Sequence, residues 1–157
     1  MDLSKVKWIV IFVLAMGSIW LITEPGVNYM IGRFSAQEAG SDPSRDTINE
    51  AGLTRVGTFL MMTFRYEKAD EVFELALERY PEGKNAEYNY FRQARAAEKM
   101  KDYRRAVNIL EDIIADDGHS IDPRIPESDA LRLRADKLIE THELGEIRPK
   151  DAPRNLL

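Results

Sequence analysis

Residues 53–81 read LTRVGTFLMMTFRYEKADEVFELALERYP, and this stretch decides the fold. Its small and apolar residues fall into two sets, of which the first consists of Leu53, Val56, Gly57 and Leu60. The second set follows residues 64–67 and consists of Ala69, Phe73 and Ala76. Each set has the spacing of one face of an α-helix, whose period is about 3.6 residues. Pro81 ends the second helix because proline has no N–H to donate and disfavours helical geometry before it.

A second unit repeats this arrangement less closely. One apolar face is formed by Tyr90, Ala94 and Ala97, and the next by Ala106, Leu110 and Ile113. The phrase Tyr-x-x-Ala, present at Tyr66–Ala69, returns at Tyr103–Ala106, 37 residues later. No proline closes this unit, so we expect Asp117-Gly118 to end it, with the glycine adopting a positive φ.

Both units resemble the tetratricopeptide repeat. That family has a large apolar residue, Leu-Gly and Tyr in its first helix, then Ala, a large apolar residue, Ala and Pro in its second, with a period of about 34 residues. Leu53 stands where the family usually has Trp. The resemblance implies an all-α fold: a short α-solenoid of about five helices, with Gly57, Ala69 and Ala76 at the closest helix approaches. The alternative is a generic helical bundle, which shares the same period.

An uncharged segment of 16 residues, Trp8–Thr23, precedes the repeats. As a helix it is about 24 Å long, and Val6 with a snorkelling Lys7 brings it near the roughly 30 Å of a bilayer core. Trp8 and Trp20 lie near its ends, where indole rings prefer the membrane interface. We therefore predict a transmembrane signal anchor over residues 1–24. A cleaved signal peptide and a buried core helix are the alternatives.

The charges beside this segment predict its orientation. Lys5 and Lys7 precede it and Glu24 follows it, which puts the N-terminus in the cytoplasm by the positive-inside rule. The protein is then a single-pass inner-membrane protein with extracytoplasmic repeats, periplasmic in a bacterium. Gly17-Ser18 offers a notch for another membrane helix, or else a lipid-facing turn.

The remaining chain divides by composition. Residues 25–46 are predicted as a linker or juxtamembrane segment, in which the apolar stretch 26–34 lies on the membrane surface or under a partner. The two units span 47–117 and begin with a capping box at Thr47 and Glu50. Residues 118–144 are predicted as a loop and a capping helix, and 145–157 as an extended tail. The expected helices are 48–63, 66–80, 86–101, 103–117 and 127–143.

Composition argues against catalysis and nucleic-acid binding. The chain has 22 Lys and Arg against 27 Asp and Glu, a net charge of −5, which is a poor match for nucleic acid. It has no cysteine, no phosphate-binding loop and no nucleophile motif, so we predict a protein that is not an enzyme, with no cofactor, metal or small-molecule substrate. Residues 116–122 lack the alternating acids of a calcium loop and are interpreted as a solvated turn.

The resemblance also implies where a ligand binds. Family ligands lie along the concave face, which maps here onto Arg55, Thr58, Met62, Tyr88, Phe91, Arg92, Arg95 and Lys99. Arg92 and Arg95 are three residues apart, so they share a helix face and can grip a carboxylate by parallel hydrogen bonds. We predict a protein-binding groove for an acidic segment or a carboxyl terminus. The alternative is that these cations are surface charges paired with neighbouring acids.

Five helices make about two and a half repeats, fewer than the roughly three that a stable array needs. This favours an accessory or assembly subunit of a larger membrane complex, with integral membrane proteins as partners. One alternative is a transient, chaperone-like adaptor, similar in architecture to membrane-anchored periplasmic tetratricopeptide proteins of secretion, envelope assembly and cytochrome maturation. Another is a self-assembling scaffold, because an uncovered repeat end can stack on another copy.

Overall fold

The computed structural model describes the backbone of residues 3–145, and the side chains of that range except those of residues 3–5, 14, 15, 18, 19, 21 and 22. Every regular element in this range is a helix, which confirms the all-α prediction. In chain order the helices are α1 Leu3–Ile22, α2 Glu24–Ser35, α3 Pro43–Met62, α4 Tyr66–Arg79, α5 Ala86–Lys99, α6 Tyr103–Ala115, α7 Gly118–Ile121 and α8 Ser128–His142. The predicted tail lies outside the described residues from position 146 onward.

Helices α2 to α6 pack in sequence, each on the next, and α8 packs on α6. Helices α3 and α4 approach each other closely at Gly57, where an added Cβ would lie 2.5 Å from Cε1 of Phe73. Ala69 and Ala76, on the facing side of α4, are fully buried. The expectation that small residues mark the close approaches is therefore confirmed, since no larger side chain fits at Gly57.

Apolar side chains form two separate cores. The first core lies between α2, α3 and α4, and its largest fully buried members are Val27, Leu53, Leu60, Val72 and Phe73. The second core lies between α5, α6, α8 and the loop before α8, and its largest members are Val107, Leu110, Ile113, Ile125 and Leu131. A polar contact crosses from α4 to α6, where Arg105 donates to both carboxylate oxygens of Asp70 at 2.6 and 3.1 Å.

Helix α2 corrects the prediction of a linker over residues 25–46. Its Val27 is fully buried in the first core, and its Phe34 ring lies against Gly52, where an added Cβ would be 2.3 Å from the ring. An ion pair between Glu24 and Arg65 holds its first turn. Pro25 permits the helix because the first turn has no intrahelical partner for its missing N–H. The stretch 26–34 thus covers the repeat of its own chain, where we had expected a membrane surface or a partner.

Helix α3 begins earlier than predicted, and the capping box at Thr47 is wrong. Asp42 is the N-cap, with its carboxylate accepting the backbone N–H groups of Ser44 at 3.0 Å and Arg45 at 3.3 Å. Thr47 lies inside the helix, where its hydroxyl donates to the carbonyl of Pro43 at 3.0 Å. Aspartate is favoured at the N-cap and proline at the first helical position, so Asp42-Pro43 is a stronger signal for a helix start than Thr47, five residues downstream.

The end of α6 also differs from expectation. Asp117, with φ +51°, takes the left-handed conformation that we assigned to Gly118. Gly118 is instead buried at the start of α7, where an added Cβ would lie 2.6 Å from Cγ2 of Ile113. The N-cap of α6 is Asp102, whose carboxylate accepts the N–H of Arg105 at 3.2 Å.

Helix α1 contacts α2 through the ring of Trp20, which lies 6.0 Å from that of Tyr29. Trp8 is exposed, and a Cβ added at Gly17 would meet nothing within 4 Å. The side chain of Ser18 lies outside the described residues. Within the described part of the chain, no helix has the length and apolar character needed to cross a membrane. The transmembrane segment over residues 1–24 therefore stays a prediction.

Candidate protein-binding groove

The predicted groove residues of α3 share one helix face but differ in exposure. Arg55 is exposed, Thr58 is half-buried and Met62 is exposed at the C-terminal end of the helix. Among the described residues, no hydrogen bond, ion pair or ring contact joins these three to the predicted groove residues of α5. In the α3 part of the groove, Arg55 and Met62 are thus accessible, and Thr58 is accessible only in part.

The aromatic groove residues of α5 are partly buried. Tyr88 and Phe91 both pack against the second core, and their ring centroids are 6.5 Å apart. Lys99, at the other end of α5, is exposed. The half-buried rings lie beside the cationic side chains of the same helix, so the candidate groove combines apolar and positively charged surface.

Arg92 has a different surrounding from the one predicted. Its guanidinium lies over the ring of Phe73 at 6.0 Å and over that of Tyr88 at 5.9 Å. Its Nε is buried and has no acceptor among the described residues. Cations over aromatic faces at these distances are held by the ring quadrupole. Arg92 thus joins α5 to α4, and it is less available for a ligand than its place in the sequence indicates.

The main cationic cluster consists of Arg95, Glu98 and Arg134. Arg134 on α8 forms a bidentate pair with the Glu98 carboxylate: its Nε donates to Oε2 at 2.8 Å and its Nη2 donates to Oε1 at 2.6 Å. Arg95 lies 3.7 Å from the same carboxylate. Burial lowers the pKa of Arg95, and the nearby charges of Arg134 and Arg92 lower it further, while Glu98 opposes them. A single carboxylate therefore faces more than one guanidinium, and the cluster carries an excess of positive charge.

A buried carboxylate from α3 fixes the start of α5. Glu50 is only 3% exposed, and its Oε1 accepts the backbone N–H of Asn85 at 2.5 Å. It accepts the N–H of the residue that precedes the helix, the role that a glutamate in the first turn of the same helix has in a capping box, and the side chain of Asn85 makes no cap of its own. An added Cβ at Gly83 would lie 2.4 Å from the same oxygen, so that turn accepts only glycine without movement.

The loop before α8 completes this end of α5. Arg124 donates to Asn85 Oδ1 at 2.9 Å and lies over the Tyr88 ring at 4.1 Å. Its hydrogen bonds to Asp122 lower the pKa of that carboxyl against the effect of burial. The Asp122 carboxylate therefore lies in a structural contact with an arginine of its own chain. The interpretation of residues 116–122 as a solvated turn fits the exposed Asp116, Asp117, Ser120 and Ile121 but is wrong for Asp122.

Sequence reasoning missed three residues of this region: Glu50, Arg124 and Arg134. Glu50 was assigned to a local capping box, although it lies 35 residues from the N–H that it accepts. Arg134 contacts Glu98 across 36 residues. Spacing along one helix carries no signal for such contacts. The arrangement offers guanidinium groups beside half-buried rings, which suits recognition of a carboxylate by charge and shape.

A comparison with protein families agrees with the helix pairing. Residues 88–120 match the family model for the tetratricopeptide repeat, and this range covers most of α5, all of α6 and the first residues of α7. The match falls on the second unit, which departs further from the family spacing in our sequence analysis. No curated protein and no solved structure gives a match to the chain. Tetratricopeptide repeats are generally non-catalytic modules that bind other proteins, so the match supports a family of protein-interaction repeats.

Proposed function

We propose that this protein is a membrane-anchored interaction module that serves as an accessory or assembly subunit of a larger membrane complex. One observation carries the anchoring: six consecutive side chains of α1, residues 8–13, are apolar and each is 45–68% exposed. Successive residues of a helix point about 100° apart, so these six surround the whole helix. A helix that is apolar on all sides needs apolar surroundings on all sides. A bilayer supplies them, and the uncharged part of α1, residues 8–22, extends about 22 Å.

The proposed topology places the repeats outside the cytoplasm. Lys5 and Lys7 lie at the start of α1, and the first charge beyond it is Glu24. Because the chain has no cysteine, single cysteines at Asp2 and Ser41 can be labelled with a membrane-impermeant maleimide in intact cells. We expect labelling at residue 41 without lysis and at residue 2 only after lysis. The reverse pattern would overturn the topology.

Protein partners are expected of a tetratricopeptide repeat, and the subunit role rests on the membrane anchoring proposed above. The array consists of two helix pairs closed by α2 at one end and α8 at the other. Helix α2 occupies the face of α3 on which another copy would stack, so a self-assembling scaffold is not favoured. A detergent pull-down of the full-length protein from its native membrane, with quantitative mass spectrometry, tests the subunit role. Fixed membrane subunits at constant ratio support it, whereas recovery of the protein alone contradicts it.

A second candidate function, a transient adaptor for acidic segments, is favoured by the cluster of Arg95, Glu98 and Arg134. The lowered pKa of Arg95 means that its charge is unfavourable where it lies, so a bound carboxylate would relieve it. Arg95→Glu should abolish capture of an acidic peptide. Lys137→Glu, an equal charge change on an exposed residue of α8 outside the predicted groove, is the matched control. Equal capture by both variants and the unaltered protein would rule out this site.

A further inference from the structure

The turn between α3 and α4 presents two large apolar side chains to the surroundings. Met62 is 73% exposed and Phe64 is 77% exposed. Phe64 also has φ +61°, in the left-handed region where a side chain crowds the backbone. The other described non-glycine residues with positive φ are all charged: Lys101, Asp117 and Glu143. The ring of Phe64 contacts that of Tyr66 in a T-shaped arrangement, with centroids 6.2 Å apart, and most of the Phe64 side chain still stays exposed.

This turn lies beside the junction of α1 and α2. Arg65, the last residue of the turn, forms an ion pair with Glu24, the first residue of α2. Helix α1 ends at Ile22, two residues before that glutamate. At the other end of α2, Phe34 lies against Gly52 in the first half of α3, so the two helices run antiparallel. The turn is thereby fixed at the point where α1 leaves the repeat domain.

Further aromatic surface lies at the same junction. Trp20, in the last turn of α1, packs its ring against Tyr29 of α2 at 6.0 Å, and Tyr29 is itself exposed. Tryptophan and tyrosine prefer the membrane–water interface because their rings combine an apolar body with a polar group. Trp20 and Tyr29 thus lie on the two helices that meet at this junction, where Glu24 pairs with Arg65 of the turn.

The surroundings of α1 indicate what covers this surface. A second copy or a protein partner covers one side of a helix, whereas residues 8–13 are exposed and apolar on every side. The medium that encloses α1 reaches the junction at Ile22 and Glu24, and the turn with Phe64 is fixed next to it. The interface of a phospholipid bilayer accommodates aromatic and methionine side chains at that depth.

We propose that Met62 and Phe64 insert into the lipid interface beside the point where α1 leaves the bilayer. This inference rests on the membrane anchoring proposed above. The repeat domain is then held at the membrane by two connections, α1 and the α3–α4 turn, which fix its tilt. Met62 is thereby assigned to lipid, although its helical position had placed it in the groove.

The absence of cysteine permits a direct test by site-specific fluorescence. Full-length protein is reconstituted in phosphatidylcholine vesicles, with one cysteine per variant carrying the fluorophore NBD. Phe64→Cys tests the turn, and Met62→Cys repeats the test with the Phe64 ring retained. Phe12→Cys reports on α1. Leu133 on α8 is 72% exposed, so Leu133→Cys is the matched control for an exposed apolar residue. Quenching is measured with phosphatidylcholine that carries a nitroxide at a shallow or a deep acyl position.

We expect the shallow nitroxide to quench residues 62 and 64 several-fold more strongly than residue 133, and the deep nitroxide to quench residue 12. Quenching at residue 12 with residues 62 and 64 equal to residue 133 would overturn the insertion and leave the anchor intact. Quenching at 62 and 64 without residue 12 would overturn the anchor. Equal, weak quenching at all four positions would overturn both.

Discussion

Replacement of Gly57 by alanine should destabilise the fold, although alanine is the better helix former. Gly57 lies in the interior of α3, where glycine costs roughly 0.5–1 kcal/mol relative to alanine. The added methyl group, however, would lie 2.5, 2.8 and 2.9 Å from three carbon atoms of the Phe73 ring. Two carbon atoms in contact are normally about 3.5–4.0 Å apart. The ring is fully buried in the first core, so it cannot turn away without displacing its neighbours.

The size of the effect follows from these two opposing contributions. Overpacking of a well-packed core costs about 1–3 kcal/mol, and an overlap of about 1 Å with an immobile ring belongs in the upper half of that range. Subtraction of the gain in helix propensity leaves a net loss of about 2 kcal/mol. Gly32→Ala is the matched control, because Gly32 lies in α2 with nothing within 4 Å of an added Cβ. It should gain roughly 0.5–1 kcal/mol.

Urea unfolding of the full-length protein in mild detergent, followed by circular dichroism, measures both variants. With a urea dependence of about 1–3 kcal/mol/M, Gly57→Ala should lower the midpoint by roughly 1 M and Gly32→Ala should raise it. Phe73→Leu removes the obstructing ring, so the cost of Gly57→Ala should fall by at least about 1 kcal/mol in that background. If Gly57→Ala raised stability as Gly32→Ala does, the contact at Gly57 would not be as close as described.

Three further predictions concern the contacts that brace the array. Glu50→Ala leaves the half-buried N–H of Asn85, at the start of α5, without its acceptor and should cost about 1–3 kcal/mol in urea unfolding, and a loss below about 0.5 kcal/mol would refute the role of this contact. Deletion of residues 1–42 removes α2 and uncovers the first core, so it should lower the melting temperature well below that of a deletion of residues 1–22, and equal melting would contradict the role of α2. The pKa of Asp122 lies below its ordinary 3.8 in the folded state. The unfolded chain therefore takes up the proton first as pH falls, and the stabilisation, complete above about pH 5, is lost as pH falls through the lowered pKa. Asp122→Asn should accordingly lose less stability between pH 7 and pH 3 than the unaltered protein, and an equal loss would refute the assignment.

The helix pairs could be predicted because their packing is encoded locally. Gly57 and Phe73 are only 16 residues apart, so one turn brings them together, and the period of the intervening residues fixes which faces meet. Helix α2 was missed although Val27, Ile31 and Phe34 carry helical spacing. Proline interrupts the interior of a helix, but in the first turn, where Pro25 lies, it favours a helix start.

The sequence predicted the groove contacts that lie within one helix, but not those between helices. Arg95 could be placed because its neighbours on α5 follow from spacing, but its partner cation Arg134 comes from α8. Arg92 was expected to share the ligand with Arg95, yet Phe73 from the preceding helix holds it. Which side chains meet across helices depends on how the repeats stack, and the 37-residue interval between the units does not specify that geometry.

The separation into two cores has a consequence for the order in which the chain acquires its structure. All buried members of the first core precede residue 81, whereas the second core needs Leu131 and its neighbours on α8. During synthesis, the first core can therefore form as soon as the N-terminal half emerges from the ribosome. The second core can form only after α8 has been synthesised, which ends some thirty residues after α6. Hydrogen exchange should then reveal two cooperative units with different opening free energies. The half that is joined to α1 therefore folds before the cluster of Arg95, Glu98 and Arg134 is complete.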